Sequence, residues 1–266
     1  LAESIAAIEK QAFTSPLLQQ LKANLQKGHT TASGKIKALK NILDKLDIRY
    51  NIVISAPLNL FLLWNLQQVL DLEKWKKQND EDVQLWFDIL ASFEALGSFA
   101  AVQFNNPSWC FPELREKHFS IAATELGHPL IAAEKRVSNY INIDHAGEIM
   151  LVTGSNMAGK STYLRSIGIN VILTMAGAPV CANAFAVSPV QLLSSMRIAD
   201  NLEESTSTFY AELKKLKTVI EKISAGEKVF VLLDEILRGT NSLDRHTGSE
   251  ALIRQMIKQH AAAVLA

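Results

Sequence analysis

The chain has 266 residues, 48% of them hydrophobic and 20% charged, with 27 Lys+Arg against 27 Asp+Glu. That length allows one large domain or two modest ones, and the composition excludes disordered and fibrous classes. Zero net charge supplies no overall basic field, so contact with nucleic acid needs a local patch or parts of the protein outside these residues. The first hundred residues hold few glycines and repeat apolar positions at helical spacing. Leu17, Leu18, Leu21 and Leu25, then Ile36, Leu39, Ile42, Leu43 and Leu46, predict two amphipathic helices separated by the breaker "HTTASGK" at 29–35. The longest apolar run, "IVISAPLNLFLLW" at 52–64, carries Ser, Pro and Asn and is shorter than the roughly 20 residues of a membrane-spanning helix. It reads as a buried helix of a bundle, with a third helix following Pro57 and no membrane contact from this segment. A fourth helix is expected over about 81–101, where Trp86, Phe87, Leu90, Phe93 and Leu96 read as core packing.

The stretch "FNNPSWCFPEL" (104–114) holds two prolines and marks a boundary. Beyond it, apolar runs ("FSIAA", "EIMLVTG", "AFAVSP", "KVFVLLDE", "AAAVLA") alternate with helical stretches, which predicts a largely parallel sheet covered on both faces. The expected organisation is an all-α segment over 1–117 and an α/β domain over 118–266. Cys110 and Cys181 give neither a disulfide framework nor zinc spacing, so a reducing, cytoplasmic setting is expected. The first residue is Leu1, not Met, and the last lie in an apolar run, so both ends read as cut and the α/β domain as truncated at its C-terminus.

The most specific signal is "EIMLVTGSNMAGKSTYLRS". An apolar strand leads into Gly154-x4-Gly159-Lys160-Ser161, and a helix follows. This is the phosphate-loop pattern in its required strand–loop–helix setting. Glycines let backbone N–H groups of residues 154–159 (Gly154, Ser155, Asn156, Met157, Ala158 and Gly159) approach phosphate oxygens, and the helix beginning near Thr162 offers its positive N-terminus. Lys160 reaches the β- and γ-phosphates, and the Ser161 hydroxyl ligates Mg²⁺. The expected ligands are therefore ATP or ADP with Mg²⁺, in a P-loop NTPase fold.

"KVFVLLDEILRGT" is an apolar strand ending in Asp234-Glu235. A carboxylate at the C-terminal end of such a strand faces the phosphates and orders Mg²⁺, which assigns Asp234 to the metal. The following Glu235 can polarise the attacking water. GTPases need an N-K-x-D guanine reader, absent from this sequence, and small-molecule kinases do not need the Glu; the pair points to ATP hydrolysis of the ABC type. A third segment, "ESTSTFYAEL" (204–213), places four hydroxyl residues before an amphipathic helix whose stripe is Phe209, Leu213, Leu216, Ile220 and Ile223. One hydroxyl, Ser207 or Thr208, suffices as N-cap; Ser205 and Thr206 read as surface loop.

Together, "TGSNMAGKSTYLR" (153–165), "LLDEILRGTNSLD" (232–244), "STFYAEL" (207–213) and "GHPLI" (127–131) resemble segments of the MutS family of DNA mismatch repair ATPases. The resemblance covers about 118–266; the helical part before it is compatible with the family's core and lever helices by position and texture only. It implies an ABC-type ATPase in which two subunits sandwich two ATP molecules, hence a homodimer through the ATPase domain. Lys160, Asp234 and Glu235 would form one face of each site, and the partner's Ser207 and Thr208 would approach the γ-phosphate from the other. "NSLD" (241–244) would be the loop crossing between sites, with Glu212 and Arg238 in structural support.

The departures fall at three places. Ser155 and Ala158 replace residues that the family usually has as Pro and Gly. Arg136, in "RVSNYINI", takes the place of an aromatic that stacks on adenine, so adenine contacts fall to Arg136, Asn139 or Tyr140, with the stacking partner left between Arg136 and Tyr140. The family's switch His follows the last strand; His128, His246 and His260 do not fit it, and the family's N-terminal mismatch-reading module is not in this sequence. Two functions remain: the ATP-driven part of a mismatch repair protein that acts on mispaired or branched DNA when full length, or an ATP-gated recombination or structural module without mismatch recognition. Transporter-type or SMC-like ATPases would carry a glycine signature where Ser207-Thr208-Phe209 stand.

Overall fold

The computed structural model describes residues 1–26, 30–155, 157–196, 208–237 and 239–266. The chain divides into two units, Leu1–Ser98 and Phe99–Ala266.

The first unit is helical: α1 (Ala2–Lys10), α2 (Pro16–Leu25), α3 (Ala32–Asp47), α4 (Ile52–Leu62) and α5 (Trp64–Asn105), the last crossing the division. Pro16 opens α2 with a φ already suited to a helix, and Thr31 Oγ1 caps α3 by accepting the Gly34 N–H at 3.2 Å. Ile5, Leu25, Ala32, Trp86 and Ile89 form the core of this unit. Trp75 joins its edge and donates its indole N–H to Lys35 O at 2.8 Å, so the aromatics of α5 pack as expected.

Three expectations fail here. The third helix does not follow Pro57 but contains it, and the fourth is part of a 42-residue helix that starts at Trp64. The stretch 64–80 has neither Gly nor Pro to interrupt a helix, and its polar character hid this. Nor is the 52–64 run buried: Ile52, Val53, Leu60 and Phe61 are 77%, 79%, 77% and 79% exposed. The chain turns at Leu63, which is left-handed (φ 49°), and Asn59 secures the turn by donating to Ser55 O and accepting from Asn65 N–H. That junction leaves α4 out of the core cluster of its unit. By length and composition α5 could cross a membrane, with a mean hydropathy of 1.4 over its most apolar 18 residues, although Trp86 and Ile89 within it belong to the helical core.

The second unit continues with β1 (Glu113–Leu114), β2 (Ile121–Leu126), β3 (Asn139–Ile143), β4 (Ile149–Leu151), α6 (Lys160–Met175), β5 (Ala184–Val187), β6 (Gln191–Ser195), α7 (Thr208–Ser224), β7 (Val229–Leu233), α8 (Ser242–Lys258) and β8 (Ala262–Leu265). One sheet, β4-β8-β7-β6, is parallel throughout. The other, β1-β5-β2-β3, is mainly antiparallel, with β2 opposed to both its neighbours. The fold is therefore mixed α/β, and the single largely parallel sheet expected from the sequence is corrected to two. The runs "FSIAA" and "AFAVSP" feed the antiparallel sheet. Only about a dozen residues join β2 to β3, and no α-helix lies among them, so a parallel crossover is not available.

The parallel sheet is covered on both faces, which is why β7 is apolar at every position. Phe230 and Leu232 face Leu164, Ile167 and Val171 of α6. Val229, Val231 and Leu233 face Leu216, Val219 and Ile223 of α7 and Leu252 and Met256 of α8. Gly168 lets α6 lie directly on the sheet, since a Cβ there would stand 3.0 Å from Leu232 Cδ1. Phe230 also stacks on Phe119 at 5.0 Å, joining the inner face of the antiparallel sheet to the same core. Phe230→Ala is expected to cost about 3–5 kcal/mol, read as a lower urea midpoint of this unit.

Candidate active site

All four parallel strands end at one edge, and backbone hydrogen bonds hold their C-terminal ends together. Val152 N–H donates to Leu265 O at 2.7 Å, Ala266 N–H to Leu233 O at 2.9 Å, and Glu235 N–H to Ala266 O at 3.0 Å. Asp234 N–H donates to Ser195 O at 3.0 Å. This edge is where ligands of open parallel sheets bind.

From β4 the chain enters the 152–159 loop and then α6. Gly159, at φ 85°, precedes the first helical residue, Lys160, in a conformation that glycine adopts without penalty. Met157 is also left-handed (φ 67°) and fully exposed. The Lys160 ammonium donates to Gly154 O at 2.8 Å and Ser155 O at 3.1 Å, closing the loop on itself. Ser161 and Thr162 occupy the first turn of α6, whose N–H groups and dipole present positive potential toward the loop. Asn156 lies outside the described residues.

Asp234 follows β7 and is 7% exposed; its Oδ1 is buried without a hydrogen-bond partner among the described residues. Burying a carboxylate oxygen in this way is costly unless a cation or a bound donor satisfies it. Among the described residues no group of three or more His, Cys, Asp or Glu is gathered for a metal. A cation here would take few protein ligands, which suits Mg²⁺, a metal that keeps its waters and leans on substrate phosphates. Ser161 and Asp234 fit that role. Glu235 is half-buried and left-handed at φ 51°, as is Leu237 at φ 57°, so two strained residues flank the buried Ile236 just beyond the strand.

Asn170 carries a role that sequence reasoning missed. It is fully buried in α6, donates to Gly127 O at 2.9 Å and Ser166 O at 2.7 Å, and accepts the Cys181 N–H at 2.7 Å. An amide in the middle of an apolar helix was the available signal. Asn170→Leu should destabilise this unit by about 1–3 kcal/mol by stranding the Cys181 N–H and Gly127 carbonyl, a loss visible in thermal unfolding.

On the side expected to meet adenine, Arg136 donates through Nε (3.1 Å) and Nη2 (2.8 Å) to Ile131 O. Its guanidinium stands 5.6 Å over the Trp109 ring. Gly127 makes room for this arginine, since a Cβ there would be 2.2 Å from Arg136 Cδ. Tyr140 is 78% exposed, its carbonyl accepting the Tyr163 hydroxyl at 2.8 Å. Burial pushes that Tyr163 phenol up to about 12, so it stays a donor. Asn139 is exposed and donates to Val137 O at 3.2 Å. Burial and the nearby Arg165 and Arg136 hold His128 below the usual histidine range.

Ser207 and Arg238 lie outside the described residues, as do Ser205 and Thr206. Thr208 opens α7. The buried stripe of α7 is Leu216, Val219 and Ile223, while Leu213, expected in it, is 40% exposed. Glu212 supports structure as expected, its Oε1 accepting the Leu237 N–H at 2.6 Å. Asn241 caps α8 by accepting the Asp244 N–H at 2.9 Å, and its amide donates to Asp244 Oδ2 at 2.7 Å.

The fold and this edge define a mixed α/β domain with a glycine-rich turn and adjoining carboxylates at the C-terminal ends of a parallel sheet. Residues 150–266 match the family model for MutS domain V. The chain is similar to the DNA mismatch repair protein MutS of Brevibacillus brevis, 34% identical over 182 residues, which is 66% of this chain and 21% of the relative. The MutS proteins of Chlorobium phaeovibrioides (33% over 161 residues) and Chlorobium chlorochromatii (35% over 164) cover 58% and 59% of the chain and 18% of each relative. The chain thus spans about a fifth of the length of these relatives.

Proposed function

We propose that residues 118–266 are a MutS-like, ABC-type ATPase domain with a P-loop, which binds and hydrolyses ATP. Residues 1–117 would then act as core and lever helices that relay nucleotide state to DNA-contacting parts of the intact protein. One observation carries this reading above the others: the glycine-rich 154–161 loop and the buried Asp234 oxygen, which has no hydrogen-bond partner among the described residues, lie at the same edge of one parallel sheet.

In this reading the Lys160 ammonium exchanges the carbonyls of Gly154 and Ser155 for β- and γ-phosphate oxygens, while backbone N–H groups of 154–162 cradle the phosphates. Ser161 and Asp234 hold Mg²⁺, whose charge would offset that of the phosphates. Glu235 orients the attacking water by accepting its proton in a hydrogen bond. The Arg136 guanidinium is already committed to Ile131 and Trp109, which leaves the exposed ring of Tyr140 the freer candidate for stacking on adenine, with Asn139 beside it. Ser207 and Thr208 would act on the γ-phosphate bound by a partner in a homodimer. We place the protein in the cytoplasm.

Phosphate release by the intact protein, together with DNA binding titrated against salt, tests this function. Turnover of ATP is expected, with affinity for mispaired or branched duplex that falls steeply as salt rises. ATP turnover without any DNA binding would favour the ATP-gated module that lacks mismatch recognition, a reading supported by the zero net charge. Absence of turnover would contradict both.

A further inference from the structure

Two residues near the start of α7 hold the loop that carries Glu235. Glu212 Oε1 accepts the Leu237 backbone N–H at 2.6 Å, the short distance of a charge-assisted bond. One turn earlier, Phe209 lies so close to Gly239 that a Cβ on that glycine would fall 2.7 Å from Phe209 Cβ and 2.9 Å from its Cδ2. From the other side α8 offers Gly248, where a Cβ would meet Leu237 Cδ1 at 2.6 Å. Leu237 and Gly239 are therefore gripped between α7 and α8.

The grip coincides with strain. Glu235 and Leu237 both hold left-handed backbone angles, which residues with a Cβ keep only where their surroundings over-determine them. Ile236 and Leu237 are buried in the cluster formed by Leu216, Val219, Leu252 and Met256, which fixes the side-chain half of the turn. The backbone half is fixed by Glu212 and by the packing of Phe209 on Gly239. Simple helix-to-loop packing would need neither a half-buried carboxylate on a backbone N–H nor two glycines that accommodate their neighbours.

We infer that Phe209 and Glu212 are positioning residues for Glu235, setting the backbone from which its carboxylate is aimed. This rests on the proposed reading that Glu235 orients water for ATP hydrolysis. The phosphate loop leaves β4, which β8 separates from β7, so a disturbance at Leu237 should reach the chemistry and spare nucleotide binding.

The test uses the intact protein and measures turnover at saturating ATP, equilibrium ATP affinity and melting temperature. Glu212→Ala is expected to lower kcat about tenfold or more with ATP affinity changed less than about twofold. Glu212→Gln keeps an acceptor oxygen and should recover at least about half of the turnover. Gly239→Ala drives a methyl group into Phe209 from the loop side, and should give the same split between kcat and affinity without altering α7. Wild-type kcat in both Glu212→Ala and Gly239→Ala would overturn the inference, as would losses of kcat matched by losses of ATP affinity. Glu235→Gln run in parallel separates the two levels. Wild-type turnover in that variant removes the underlying reading, whereas a dead Glu235→Gln beside fully active Glu212→Ala and Gly239→Ala removes the positioning role alone.

Discussion

Lys160→Ala should weaken ATP binding by about 100-fold or more, measured by equilibrium titration. The lysine stands at the first position of α6, and its ammonium lies on the carbonyls of Gly154 and Ser155. Carbonyl oxygens are neutral acceptors, so phosphate oxygens displace them with a net gain. Losing two charge-assisted bonds at about 1.5–3 kcal/mol each accounts for the size of the effect. The fold should survive, because the side chain contributes nothing to the buried clusters on either face of the sheet. Unchanged ATP affinity in this variant would remove the loop from the proposed site.

Glu235→Gln should behave in the opposite way, keeping ATP bound while turnover falls by about 100- to 10,000-fold, the usual contribution of a general base. Gln keeps the size of the side chain and can adopt the same left-handed backbone, so the β7–α8 turn should hold. Asp234 stays in place beside it, and nucleotide affinity should move little. The measurement is single-turnover hydrolysis alongside nucleotide retention on a filter or column. Wild-type turnover in this variant would rule out Glu235 as the residue that orients water.

These effects could be stated from sequence because the residues behind them obey short-range rules. A glycine pair with Lys and Ser at fixed spacing has meaning only between a strand and a helix, and both flanking elements are where periodicity put them. The continuous apolar run of β7 announced burial on both faces, and the acid pair at its end followed. What the sequence hid depends on partners far away in the chain. The antiparallel sheet arises because β5 pairs with β1 and β2 across intervening elements, a choice that alternation of strands and helices does not encode. The exposure of α4 comes from the single left-handed Leu63, whose conformation no apolar pattern predicts. Asn170 reads as an oddity in an apolar helix until Gly127 and Cys181 are seen on either side of its amide. Gly239 and Gly248 likewise gain meaning only once Phe209 and Leu237 are found against them.

The central claim is that one edge of the parallel sheet binds ATP, with Asp234 holding the cation that accompanies it. Calorimetric titration of ATP into the intact protein, with and without Mg²⁺, addresses it most directly. The account predicts saturable binding that tightens when Mg²⁺ is present and loses that Mg²⁺ dependence in Asp234→Asn. No saturable binding in either condition would contradict it.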